Sequence, residues 1–432
     1  MFKVNSKSGF IRSILVLSSG TAIAQLVSYA VTPIITRLFT TEDFGEIGVF
    51  LRIVSFLTAI GTTRYELTLP LPKNQNHAFQ LFRLSLRISL VMIGVTLGLG
   101  MIYWIIQGGG SQTIFYVLMV ATTTFFMVFK NIGTNWAIRN QAFNRISSSN
   151  ILSALSTNGL KLIAGVYNIG VNGLILATAL GSVFGAATFI LDYYRNKRQS
   201  VFEQSKKKMY ALSKMYKDFP RVNLPHAMLD ATRELLIAFL IVELFSQSFF
   251  GSFDLSFRML RLPLILIGVS LGQVFYNRCS AQYAQKEALF PLLKKTTLIL
   301  GGLSLIPFSI VFFFGEPLFI WVFGEQWGLA GRISEILAPW LMINFVASPV
   351  STLPMILGKQ VLFFWLGLVS TFLQLIGFGL IPYLLSKQGL DEIQLITWIS
   401  YTMTLFLILI TLITLKITKD SDKSRFLLQN MK

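Results

Sequence analysis

The stretch YRNKRQSVFEQSKKKMYALSKMYKDFPR, residues 194–221, carries nine of the chain's 37 lysines and arginines and parts two long series of apolar runs. The 432 residues are 53% hydrophobic and only 13% charged, with a mean hydropathy of +0.64, whereas a soluble domain carries about 25% charged residues. A hydrocarbon core about 30 Å thick needs roughly 20 apolar residues per helix. Cutting at polar and Gly/Pro-rich breaks gives six such runs before the segment, near 13–36, 45–63, 82–106, 113–135, 148–168 and 172–193. Six more follow it, near 222–246, 252–276, 292–322, 333–356, 361–385 and 393–416. The 38 Phe fall mostly within these runs, not in the alternating pattern of a lipid-facing barrel strand. The sequence therefore predicts an all-α polytopic membrane protein of about twelve transmembrane helices. Its expected parts are a six-helix lobe (1–200), a basic cytoplasmic linker (201–221), a second six-helix lobe (222–416) and a cytoplasmic tail (417–432).

Charge placement orients the chain. Twenty-nine of the 37 basic residues are assigned to the N-terminus, every second connection and the C-terminus, three of them to the connection after the fourth helix. The opposite connections hold only Arg37, Arg332 and Lys387. Because cytoplasmic loops collect Lys and Arg, both termini are expected in the cytoplasm and the number of spans is even. The net charge of +18 is thus topological and requires no nucleic acid, though it attracts anionic lipid headgroups. Lys3, Lys7 and Arg12 precede an apolar run longer than a signal-peptide core, with no A-x-A site at its end, which predicts a retained first helix.

Motifs for covalent chemistry are lacking. Cys279 is the single cysteine, His77 and His226 are the two histidines, and no spacing suits a metal. No H-E-x-x-H, G-x-S-x-G or phosphate-loop pattern occurs, and the Gly108-Gly109-Gly110 run sits in a short outer connection where it reads as a flexible turn. No catalytic residue, metal site or cofactor is expected.

An internal repeat supports the division into lobes. A shift of 206 positions aligns Ile35, Leu38, Phe39, Phe44, Gly45 and Arg52 with Ile241, Leu244, Phe245, Phe250, Gly251 and Arg258, all identical. The offset spans an even number of helices, so the two copies would share one orientation, related by an axis along the membrane normal.

Five basic residues fall inside the predicted spans: Arg52, Lys161, Arg233, Arg258 and Arg261. Each would cost about 2.5–3.5 kcal/mol at the centre of a lipid-facing helix, so each should face protein or water. Helical spacing groups them with other polar residues. Asn150, Ser153, Thr157, Lys161 and Asn168 share one face of the fifth helix, and Ser18, Thr21, Gln25, Ser28 and Thr32 form a stripe on the first. The seventh carries Asn223, His226, Asp230 and Arg233, and the eighth carries Asp254, Arg258 and Arg261. One hydrated cavity lined by cations, with Gln25, Asn150, Thr157 and Asn223 around it, accounts for these faces and predicts an anionic ligand. For each residue a structural reading stands beside this one. Lys161 can snorkel to the interface, Arg258 can pair with Asp254, and Arg233 can be neutralised by Asp230 or Glu234. Asp230, Glu234 and Glu243 are the candidates for coupling to an ion.

The segments TRLFTTEDFGEIGVF (36–50), RYELTLPLPK (64–73) and FGEQWGLAGRISEILAPWLMINFVASPVS (323–351) resemble the polysaccharide transporter family of bacterial lipid-linked oligosaccharide flippases, O-antigen flippases among them. The likeness runs through most of the chain in helix count, termini and lobe division. It implies a bundle of two six-helix lobes similar to the multidrug and toxic compound extrusion fold. The implied activity moves an undecaprenyl-pyrophosphate-linked sugar unit across the cytoplasmic membrane for O-antigen or capsule assembly. The implied partners are that polyprenyl-linked oligosaccharide, membrane lipid, and polysaccharide polymerase and chain-length proteins. It also implies that intramembrane basic residues attract the diphosphate.

Two other readings remain. A cation-coupled multidrug antiporter of the same fold would favour acidic residues in the cavity, whereas this sequence places basic ones there. A polysaccharide polymerase would be expected to carry a large periplasmic loop, and the outer connections are short.

Overall fold

The computed structural model describes residues 7–199, 205–385 and 391–430. Lys3, Lys387 and residues 200–204 of the basic linker lie outside the described residues. Long helices dominate, in the order α1 Lys7–Leu38, α2 Thr41–Ile60, α3 Gln75–Ile106, α4 Ser111–Arg139, α5 Phe143–Val166 and α6 Val171–Gln199. A ten-residue helix, α7 Lys206–Met215, follows within the basic segment. Then come α8 Leu224–Leu244, α9 Gln247–Leu260, α10 Val269–Ala284, α11 Phe290–Phe323, α12 Gly328–Val350, α13 Leu353–Ile356, α14 Gln360–Leu375, α15 Ile381–Leu385 and α16 Glu392–Asn430. No strand occurs among the described residues. Seven helical stretches there are long and apolar enough to cross a membrane, on α3, α4, α6, α11, α12, α14 with α15, and α16. On others polar chemistry intrudes: α2 carries Glu42, Asp43, Glu46 and Arg52, and α5 carries Asn150 and Lys161.

The chain forms two compact units, Met1–Leu235 and Leu236–Lys432. Within the first, α5 packs between α1 and α6, and α4 packs on α3 and α6. The α5–α6 approach rests on Gly181 and Gly185, four residues apart: a Cβ on the first would overlap Thr157 and one on the second would meet Ser153. Small residues at this spacing let membrane helices close to van der Waals distance, which supplies the attraction that lipid tails cannot. At the basic-loop end, Tyr65, Leu69, Leu81, Phe82, Val128, Ile132 and Leu212 form one buried cluster. This cluster fixes α7 against the start of α3, and the Tyr65 hydroxyl donates to the Ser213 carbonyl at 3.0 Å. Burial pushes the Tyr65 phenol above its ordinary pKa, with the Arg221 charge opposing.

The second unit is more broken, and prolines break it. Pro263 has no N–H to donate, and the predicted helix near 252–276 is observed as α9, a π-helical turn at Leu264–Gly268, and α10. In α11 the backbone leaves helical geometry at Phe314 (φ −133°, ψ 22°), three residues before Pro317, where the proline ring would crowd the preceding turn. The turn that follows contains Gly324 at φ 111° and a fully buried Trp327. Beyond it α12 runs back along α11 so closely that a Cβ on Gly331 would meet the Gly315 carbonyl at 2.6 Å. Glu335 Oε1 accepts from the Glu316 N–H at 2.8 Å, and Arg332 Nε lies 3.3 Å from Glu316 Oε2.

One expectation about charge is corrected. Lys130, counted with the connection after the fourth helix, lies inside α4, which continues to Arg139. The error is one of counting: Lys130 already falls within the run 113–135, and the helix continues to Arg139, which donates to the Leu69 and Pro72 carbonyls.

Candidate functional site

The polar stripes of α1 and α5 meet. Asn150 Nδ2 donates to Thr21 Oγ1 at 3.2 Å, and two turns further Asn158 Nδ2 donates to Ser28 Oγ at 3.0 Å. Amide-to-hydroxyl bonds of this kind hold membrane helices together at roughly 0.6–2 kcal/mol each. Thr157 faces the backbone of Gly181. Gln25 and Lys161 are half-buried along the same two helices. Part of the polarity read from the sequence as cavity lining thus makes this helix interface.

An open cavity of about 440 Å³ lies at the basic-loop end of the first unit. It is lined by Ser55 and Ala59 from the end of α2, Arg64 and Leu67 from the turn after it, and Asn223, His226, Ala227, Asp230, Ala231 and Glu234 from the start of α8. Residues 223, 226–227, 230–231 and 234 recur at steps of three and four, one face of a helix. Thr63 and Arg64 both have positive φ, 49° and 67°, which a residue with a Cβ adopts at a cost. The turn is over-determined by its own bonds: the Thr62 hydroxyl donates to Glu66, a buried carboxylate that also lies 3.6 Å from Arg64 Nη1. Opposite charge comes from α8, where Asp230 lies 3.7 Å from His226 Nδ1 and 3.5 Å from Arg233 Nη1. The cavity therefore carries both signs. Asn223, Asp230 and Glu234 were expected at a site; Arg64 was not, because its place in a connection counted for topology hid it among the loop charges.

None of the five expected cations lines this cavity. Arg52 is half-buried on α2, with Nη1 donating to the Gly48 carbonyl at 3.3 Å, and Arg233 pairs with Asp230 beside the cavity. In the second unit Arg258 forms an ion pair with the buried Asp254 one turn earlier, and the Arg261 guanidinium stacks over Phe257, 5.2 Å from the ring centre. Glu243 is exposed on α8, roughly 13 Å along the helix from Glu234 at 1.5 Å per residue. Lys130 is half-buried within α4, at the level of α3 residues near Leu86.

Known structures share this fold. The chain superposes on an inward-facing multidrug resistance MATE family transporter of the MOP superfamily with a TM-score of 0.68 at 14% identity, covering 93% of this chain and 95% of the other. An outward-facing multidrug resistance MATE family transporter gives 0.60 at 15% identity, with 96% of each chain covered. A MOP superfamily transporter from Pyrococcus furiosus, described as having a binding pocket of reverse polarity, gives 0.59 at 16% identity with 96% of each chain covered. Comparison with curated proteins finds no match. At these identities the structures establish the fold, an all-α multi-pass membrane architecture of the MOP type. Sequence settles the family: residues 34–330 match the model described as polysaccharide biosynthesis protein, and the chain belongs to that family.

Proposed function

We propose that this chain is a flippase that moves undecaprenyl-pyrophosphate-linked oligosaccharide from the inner to the outer leaflet of the bacterial cytoplasmic membrane, for O-antigen or capsule assembly. The observation that carries the reading is a polysaccharide-biosynthesis family match across residues 34–330 of a chain with a transporter fold. Basic residues on the helices, Arg52, Lys161 and Arg261, support it, since they match an anionic headgroup in sign. A sugar headgroup cannot cross hydrocarbon unaided, because each uncompensated hydroxyl costs roughly 0.5–3 kcal/mol. A polar path open to lipid removes that cost while the polyprenyl tail stays in the bilayer. An inside-negative potential favours outward movement of the diphosphate by about 2.3 kcal/mol per charge per 100 mV. Polysaccharide polymerase and chain-length proteins would act on the exported unit.

Cells lacking the gene should accumulate lipid-linked oligosaccharide on the cytoplasmic leaflet, and the intact gene should relieve this. Normal leaflet distribution in the deleted strain would sink the proposal. Arg52→Gln, Lys161→Gln and Arg261→Gln should each lower export at equal expression; normal export by all three removes the cationic path while leaving the family intact.

The open cavity with Asp230, Glu234 and His226 favours a second reading, cation-coupled antiport, in which these acids hold a coupling ion or a cationic drug. Loss of drug resistance with unchanged leaflet distribution would select it.

A further inference from the structure

The helix α7 has two faces that differ in chemistry. Leu212 is buried, with Met209, Ser213 and Tyr216 half-buried on the same side, and this side packs on α3. The other side is exposed and basic: Lys206, Tyr210 and Lys214 follow one another at steps of four, Lys217 comes three residues later, and Lys207 flanks them. Between Ser205 and Arg221 the only carboxylate is Asp218. Tyr210 is 62% exposed although aromatic, and the Lys214 ammonium sits 4.7 Å from its ring centre. An exposed tyrosine set among lysines is the pattern of a helix lying at a membrane interface.

The depth of α7 follows from an independent contact. Arg87 Nη1 donates to Met209 Sδ at 3.7 Å. One turn further along α3, Leu90 and Val91 are 53% and 65% exposed, followed by exposed Val95 and Leu99. These apolar side chains face hydrocarbon, so Arg87 and the α7 residue it touches lie about one helical turn, roughly 5 Å, outside it. That is headgroup height. The structure assigns α7 and the turn that follows it a function separate from transport: the Lys206, Lys214 and Lys217 stripe, with Tyr210 between, binds the headgroups of anionic phospholipid in the leaflet on the basic-loop side.

The test is amide hydrogen exchange on the full chain in nanodiscs of phosphatidylcholine, with and without phosphatidylglycerol. In the anionic discs residues 206–217 should exchange at least about fivefold more slowly, the factor that corresponds to a single lysine held near an anionic surface. High salt should remove the difference by screening. The triple variant Lys206→Gln, Lys214→Gln, Lys217→Gln should show no lipid dependence while exchange in α3 is unchanged, since all three side chains are exposed. Equal rates in both lipids for the wild type, or a lipid effect surviving in the triple variant, would overturn the assignment.

Discussion

The corner between α1 and α2 and the corner between α8 and α9 occupy the same register in the two copies of the repeat. Leu38 ends α1 and Leu244 ends α8; Thr41 begins α2 and Gln247 begins α9; each pair is 206 positions apart. The caps correspond too. Thr40 accepts from the Asp43 N–H at 3.1 Å, and Ser246 accepts from the Phe249 N–H at 3.0 Å. Behind each cap an isoleucine and a phenylalanine are buried, Ile35 with Phe44 and Ile241 with Phe250. One turn before each arginine the copies diverge: Arg52 donates to the carbonyl of Gly48, whereas Arg258 pairs with the carboxylate of Asp254. The corner is thus a shared folding device, while the charge beside the arginine is free to differ between copies.

Three sets of variants would break or sharpen that comparison. The largest effect should come from the buried rings. Phe44→Ala and Phe250→Ala should each cost about 3–5 kcal/mol, read as loss of thermal stability in detergent. Strongly unequal losses would argue that the corners are not equivalent. Next, Arg258→Gln should destabilise by about 2 kcal/mol, because it takes the guanidinium from a carboxylate 2% exposed, a value reduced for the partial exposure of the arginine. Arg52→Gln should cost less, since a neutral amide can still donate to a carbonyl. Equal costs would show that the acid at 254 has no special role. The smallest effects belong to the caps. Ser246→Ala should lose about 1 kcal/mol, and Thr40→Ala slightly more because the Thr40 hydroxyl also donates to Asp43 Oδ2 at 2.9 Å within a capping box.

Much of this fold was legible in the sequence, for identifiable reasons. Apolar runs of bilayer length mark the long helices, and the repeat marks the corners because a helix end needs a Ser or Thr cap at one fixed place. Other features depend on tertiary direction. Pro263 was visible, yet whether it kinks or splits a helix depends on whether a π turn can absorb it. Lys130 lies within the run 113–135 and was legible there, although the charge count placed it in the connection that follows. Thr21, Ser28 and Asn150 read as parts of polar stripes and Asn158 did not, and a single sequence cannot show that two stripes face one another. Arg64 gave no signal beyond its place in the RYELTLPLPK segment, since a left-handed backbone at an arginine is set by the Thr62–Glu66 bond and not by local propensity.

The most direct test of the central claim uses purified protein in sealed vesicles carrying a fluorescent polyprenyl-pyrophosphate-linked oligosaccharide on one leaflet. A membrane-impermeant quencher then reports how much label has crossed. The flippase account predicts label on the opposite leaflet only in vesicles containing the protein, with slower transfer in the Arg52→Gln and Lys161→Gln variants. Label confined to its original leaflet, in vesicles whose protein moves a cationic dye instead, would contradict the account and leave an antiporter.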